Sequence, residues 1–240
     1  SYLLHDLARG YNTNVNDVLV IGLGVGIVPR EFAREGAKVD VVEINPAVVP
    51  LARRYFDLQP ERLNLTLGDG RHFVNASRKL YDAVILDAFV GDSSPSHLMT
   101  REAFAAMRRI LRPNGVLVIN CWGNFTPGRD FLVASLQKTL ANVFGSVRIH
   151  CENGPGSAIN DVANVFLVAS PTELVMRRTP AFDHVHPFCR RQVEVAFAGM
   201  AKADPDHGIV LTDDYNPVEY HDAANREQEP TLSALKGVSG

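Results

Sequence analysis

Three glycines and three carboxylates carry the chemistry that can be read from this chain. Gly22, Gly24 and Gly26 punctuate the run Val18-Leu19-Val20-Ile21-Gly22-Leu23-Gly24-Val25-Gly26-Ile27, and Glu43 closes a second apolar run. Glycine lets the backbone turn tightly and approach a ligand closely, and a helix starting there points unpaired N–H groups at it. An acidic residue about 20 positions after the first glycine is placed to accept hydrogen bonds from ribose hydroxyls. This pattern points to an adenosine-containing ligand. Asp69 and Gly70 follow a third apolar stretch in Gly68-Asp69-Gly70, where a carboxylate can accept from an adenine amino group; a plain Asp-Gly turn is the alternative. Asp87 closes a fourth run, Tyr81-Asp82-Ala83-Val84-Ile85-Leu86. A carboxylate there can act as a base or hold a cationic amine; capping of the following loop is the alternative. The polar loop Asp92-Ser93-Ser94-Pro95-Ser96-His97 then stands ready to close over a pocket.

These residues need a scaffold that brings them to one edge. Short apolar runs predict strands over 17–21, 38–43, 63–67, 83–87, 116–120, 147–150 and 163–168, apolar on both faces as a covered parallel sheet requires. Helices are expected over 28–34, 47–55, 101–111 and 129–143. Phe104, Met107 and Leu111 share one face of the third, and Pro113-Asn114-Gly115 is read as its stop. Alternating strands and helices give a doubly wound, Rossmann-like α/β sheet. No helix separates the last two strands, and Gly154-Pro155-Gly156-Ser157 offers a turn. The expectation is therefore a seven-stranded sheet of the methyltransferase type, its last strand antiparallel. After Ser170 the pattern loosens to one more helix over 192–200, a turn over 204–207, an acidic and aromatic segment 211–220 and a frayed tail. The expected organisation is a nucleoside-binding domain over 1–170 and an extension over 171–240 packing on it.

At 240 residues with 46% hydrophobic and 21% charged residues, the chain can bury a core under an ordinary soluble surface. A net charge of -3 without a basic run argues against a nucleic-acid partner. Cys121, Cys151 and Cys189 are odd in number and far apart, so a reducing, cytoplasmic setting is expected, with neither disulfide framework nor cysteine metal site. His184, His186, His207 and His221 fit no metal spacing, and no metal is expected. No apolar run approaches the roughly 18 residues of a membrane span. The sequence begins with Ser1 rather than Met, which suggests an upstream segment in the parent protein.

The glycine run, Val42-Glu43-Ile44, Gly68-Asp69-Gly70, the segment from Tyr81 to Asp87 and the stretch from Leu111 to Leu117 together resemble the spermidine and spermine synthases, the polyamine aminopropyltransferases. The stretch from Asp87 to Glu102, and Thr212-Asp213-Asp214-Tyr215-Asn216-Pro217-Val218-Glu219, are similar to its spermidine synthase-like branch. The resemblance spans about residues 15 to 170 plus the late motif. It implies transfer of an aminopropyl group from decarboxylated S-adenosylmethionine to a small-molecule amine, leaving methylthioadenosine, without a metal. Asp87 matches the family's catalytic aspartate, Glu43 its ribose ligand, Asp69 its adenine-side ligand, and Gly22, Gly24 and Gly26 its cofactor turn; Gly70 lies beside Asp69. The family commonly dimerises, so a homodimer is among the expectations.

Two departures from the resemblance bear on specificity. Val25 stands where the family places an aspartate that holds the aminopropyl ammonium, and Val90 where it places a second loop aspartate. Losing two anions from a site built for cations weakens binding by several kcal/mol. With so short a stretch before the first expected strand, the family's N-terminal β-hairpin domain is expected to be absent here, and Tyr2 and His5 are read as remnants of the segment that would join it. A methyltransferase using S-adenosylmethionine itself and a non-catalytic nucleoside-binding homologue are the competing readings.

Overall fold

The computed structural model describes residues 2–89, 95–151 and 163–221. Helix α1 (Tyr2–Tyr11) precedes an alternation of β1 (Asp17–Ile21), α2 (Ile27–Arg34), β2 (Lys38–Glu43), α3 (Val48–Tyr55), β3 (Asn64–Leu67), α4 (Gly70–Ala76), β4 (Tyr81–Leu86), α5 (Arg101–Arg109), β5 (Leu111–Gly123) and α6 (Phe131–Val143). Strands β6 (Ser146–Cys151) and β7 (Ala163–Ser170), helix α7 (Pro187–Ala198) and a two-residue β8 (Met200–Ala201) follow. The sheet order is β3-β2-β1-β4-β5-β7-β6-β8. Strands β3 through β5 pair in parallel, whereas β7 lies antiparallel between β5 and β6.

The expected antiparallel seventh strand is present, but among the described residues the sheet has eight strands rather than seven. Two residues, Met200 and Ala201, pair with His150 and Ile149, and a run that short has no periodicity to read. The helix expected over 192–200 begins earlier, at Pro187, because the His186 side chain accepts from the Phe188 N–H and proline suits the first helical position. Helix α5 ends at Arg109, and Pro113 falls inside the start of β5 instead of stopping a helix. Proline is tolerated near that strand's start, away from its fully paired middle. The proposed turn Gly154–Ser157 lies outside the described residues, as do Val90 and Asp92.

Alternate strand positions feed two apolar layers. Leu19, Val84, Leu117 and Leu167 face one layer with α5 and α6, whereas Val18, Val20, Ile85, Val118 and Phe166 face the other with α1, α2 and α7. A sheet buried on both faces explains why its strands read as continuous apolar runs. Among the described residues, no helix is long and apolar enough to cross a membrane.

Parallel register decides the functional edge. Ile21 pairs with Val42 and Leu86, and Glu43 with Leu67, so these strands end almost level. Gly22, Glu43, Gly68 and Asp87 therefore line one rim. The chain goes left from β1 to β2 and β3 and then returns to β4 on the other side. Crevices of open α/β sheets form at such a reversal, outside the carboxyl ends of the strands.

Candidate functional site

A crevice opens at that reversal, lined by Gly22, Gly24, Glu43, Asp69, Gly70 and Asp87, with Ile44, Val48 and Leu98 among its apolar walls. All the sequence-derived candidates but one thus share a single site. The exception is Gly26, which adopts φ 79° ahead of α2 and packs against Leu58 behind the turn. Gly22 has φ 94°, and a Cβ on it would run into the Asp87 carbonyl, so this position needs glycine for both conformation and space. Its N–H donates to Val42 O at 2.8 Å, and the Asp87 N–H donates to Ile21 O at 2.9 Å, carrying the ladder just past the strand ends.

Glu43 has a structural task as well. Its Oε2 accepts from the Leu23 N–H at 2.8 Å and its Oε1 from the Asn45 N–H at 2.7 Å, with the residue 7% exposed. The carboxylate ties the glycine turn to the loop after β2. A carboxylate offers about four acceptor positions, so two remain for ligand hydroxyls.

Asp69 caps α4, its Oδ1 accepting from the His72 N–H at 2.7 Å, while Oδ2 faces His97 Nε2 at 3.1 Å. Partial burial alone raises its pKa, but the His72 N–H and the facing imidazole outweigh that and hold the carboxyl below its ordinary value. The capping alternative and the place in the crevice are therefore both realised. Gly70 next to it leaves room for Ile21, whose methyl a side chain there would strike.

Asp87 Oδ1 accepts from Asn120 Nδ2 at 2.9 Å. Because Leu86 pairs with Ile119, β5 delivers Asn120 directly beside Asp87. Asn120 is 7% exposed, and among the described residues its own Oδ1 is buried without a hydrogen-bond partner. An amide held this way orients the carboxylate without neutralising it. The sequence carried one signal for Asn120: a lone amide ending the apolar run Val116-Leu117-Val118-Ile119.

The outer wall, Pro95 to Leu98, is braced by the late acidic segment. Arg71 of α4 donates to His97 O at 2.9 Å and to Thr100 Oγ1, and forms a two-pronged pair with Asp213 at 3.2 and 2.8 Å. Thr100 Oγ1 donates to Asp213 Oδ1 at 2.6 Å, and Ser96 Oγ to Glu219 Oε1 at 2.6 Å. Burial raises the Asp213 carboxyl, but the Thr100 hydroxyl and the Arg71 guanidinium draw it below the usual range overall. Residues 71 and 213 are 142 positions apart, so no local pattern pairs them. Leu211 and Val218 of the same segment are buried in the core.

A mostly parallel sheet of this order with antiparallel strands at one edge, and a glycine turn and a carboxylate rim at its reversal, defines an α/β protein of the Rossmann-like methyltransferase type. The model for the spermine/spermidine synthase domain matches residues 2–151, and the chain belongs to that family. The polyamine aminopropyltransferase of Vibrio vulnificus (strain CMCP6) is 39% identical over 219 residues, covering 86% of this chain and 70% of the relative. A "Probable polyamine aminopropyl transferase" of Bifidobacterium longum (strain NCC 2705) is 29% identical over 223 residues, and this chain spans about half of its length, 49%. A spermidine synthase solved in complex with the transition-state analogue AdoDATO superposes with a TM-score of 0.59 at 20% identity, covering 98% of this chain and 73% of that one.

Proposed function

We propose that this chain transfers an aminopropyl group from decarboxylated S-adenosylmethionine to a small amine. The observation that carries this reading is Asp87, held by Asn120 at the reversal point of the sheet and facing the same crevice as Glu43 and Asp69. Glu43 would accept from the ribose hydroxyls and Asp69 from the adenine amino group, with Ile44 and Leu98 supplying apolar contact. The co-substrate brings its own leaving group, a sulfonium. The amine nitrogen forms a bond to the aminopropyl carbon, the carbon–sulfur bond breaks, and its electron pair stays on sulfur in methylthioadenosine. Alignment of nitrogen, carbon and sulfur is then the main demand on the protein.

An alkylammonium has a pKa near 10 and cannot attack until it loses a proton. Asp87 takes that proton, directly or through water. Residues 1–170 would supply the nucleoside site and 171–240 an extension whose Asp213 and Glu219 brace its wall. One feature favours a second reading, in which S-adenosylmethionine itself donates a methyl group. Val25, 38% exposed in the glycine turn, offers no charge for an aminopropyl ammonium. Calorimetric titration with decarboxylated S-adenosylmethionine, S-adenosylmethionine and methylthioadenosine separates the two. Preference for the decarboxylated ligand supports aminopropyl transfer, preference for the carboxylated one supports methyl transfer, and no binding at millimolar ligand removes both.

A further inference from the structure

Helix α1, in the apolar layer it shares with α2 and α7, places His5 and Asp6 side by side in the interior. The segment before α7 adds His184. His184 Nε2 lies 3.0 Å from Asp6 Oδ1, and His5 Nδ1 lies 3.4 Å from the same oxygen. One ligating atom from each of the three residues falls within 4.8 Å of the other two. A tetrahedral ion with bonds of 2.0–2.1 Å separates its ligands by about 3.3 Å, and the two distances bracket that value.

Two further observations mark this cluster as more than a packed polar core. The Asp6 side chain is 1% exposed, yet among the described residues its Oδ2 has no hydrogen-bond partner, and the Nε2 atoms of His184 and of His5 lack an aligned one as well. A carboxylate buried with an unfilled oxygen is costly unless a cation meets it. The second observation is the group behind His5. Its Nε2 faces Glu35 Oε2 at 3.2 Å, and Arg9 holds that carboxylate at 2.6 Å. Metal-bound histidines commonly present their other ring nitrogen to a carboxylate, and the Glu35 carboxylate stands on that side of the His5 ring. Here that arrangement leaves Nδ1 of His5 turned toward Asp6.

We propose that His5, Asp6 and His184 form a site for a divalent first-row metal ion, with Zn²⁺ the best match to two imidazoles and a carboxylate. Three protein ligands leave one position for water. The ion would staple α1 to the segment 182–186, two stretches that no covalent link brings together. No local spacing points to this site. In the sequence His184 stands nearest His186, with His207 and His221 further on, whereas the fold sets it against His5 and Asp6 of α1.

The test uses the full chain, stripped with EDTA, dialysed and titrated with Co²⁺ as a visible probe. The expected result is the intense visible absorption of tetrahedral cobalt, saturating at one equivalent and displaced by Zn²⁺. Zn²⁺ should also raise the thermal midpoint. His184→Ala, at the partly exposed ligand, should weaken binding at least tenfold and remove the Zn²⁺-dependent rise, while His207→Ala leaves both unchanged. Absence of saturable absorption by the wild-type chain overturns the site. Binding that survives His184→Ala undiminished does so too, because the ion then sits on other histidines. His5, Asp6 and His184 would in that case be a plain hydrogen-bonded cluster.

Discussion

Removing the Glu43 carboxylate should loosen the glycine turn and weaken nucleoside binding by separable amounts. In Glu43→Ala the Leu23 and Asn45 N–H groups lose acceptors at 2.8 and 2.7 Å. The site is 7% exposed, so water cannot freely replace them. Each buried donor left without a partner costs about 1–3 kcal/mol, hence about 2–6 kcal/mol for the pair. Water entering the new cavity makes the lower part of that range the expected outcome. Glu43→Gln should cost less, about 1–3 kcal/mol, since one amide oxygen still accepts while the NH₂ group faces a backbone donor. Urea denaturation of both variants reads these losses as a shift in midpoint at unchanged slope. Calorimetry with methylthioadenosine should show Glu43→Gln binding about 5- to 150-fold more weakly, the equivalent of 1–3 kcal/mol. Unfolding free energies of both variants within about 0.3 kcal/mol of wild type would refute the clamp. An unaltered dissociation constant in a destabilised Glu43→Gln would refute the ribose role alone.

Asp87→Asn keeps an oxygen for the Asn120 amide but loses the base; turnover should fall about 10²- to 10⁴-fold while methylthioadenosine affinity changes less than about threefold, both measured on one preparation. Arg71→Ala should release the wall from Asp213 and raise KM more than it lowers kcat, with partial restoration by Arg71→Lys; equal effects on the two constants would contradict a bracing role. Gly22→Ala forces a side chain into φ 94° against the Asp87 carbonyl and should destabilise by about 1–3 kcal/mol, read from the same urea curves. His150 provides a pH signature. Burial, only partly opposed by its hydrogen bonds to the Phe197 and Ala196 backbone, holds its pKa below 6.5, and Tyr11 Oη lies 2.8 Å from its Nε2. Between the folded and unfolded pKa values the unfolded chain binds the extra proton, so this contribution is fully present above about pH 6.5 and is lost as pH falls. His150→Gln should flatten that part of the stability profile relative to wild type; an unchanged slope would remove His150 as its source.

The crevice was legible in the sequence because its parts are local. Gly22 and Gly24 sit within one turn, and Glu43, Asp69 and Asp87 each end an apolar run. A parallel sheet brings run ends to a common edge whatever the details of packing. The central strands were legible for the same reason, since apolar runs covered on both faces leave a continuous signal, whereas the edge strand β3 is exposed to half-buried and shows only alternating leucines. Helix α4 escaped because seven residues, Gly70–Ala76, are too few to show a helical period, and its N-cap Asp69 reads equally as a turn. Helix α1 escaped because it precedes the alternation that made the other elements recognisable.

What the sequence by itself determined is the type of sheet, the adenosine-type turn and the three carboxylates at its rim, all encoded in spacings of a few residues to about twenty. Only the tertiary structure decided what holds them. The register of β4 against β5 sets Asn120 on Asp87, the Arg71–Asp213 pair closes a gap of 142 positions, and α1 meets His184 across most of the chain. Such contacts depend on how layers stack and how the chain returns to the sheet. Free energy from burying the two apolar layers brings these side chains together, and no local periodicity records which distant residue will arrive.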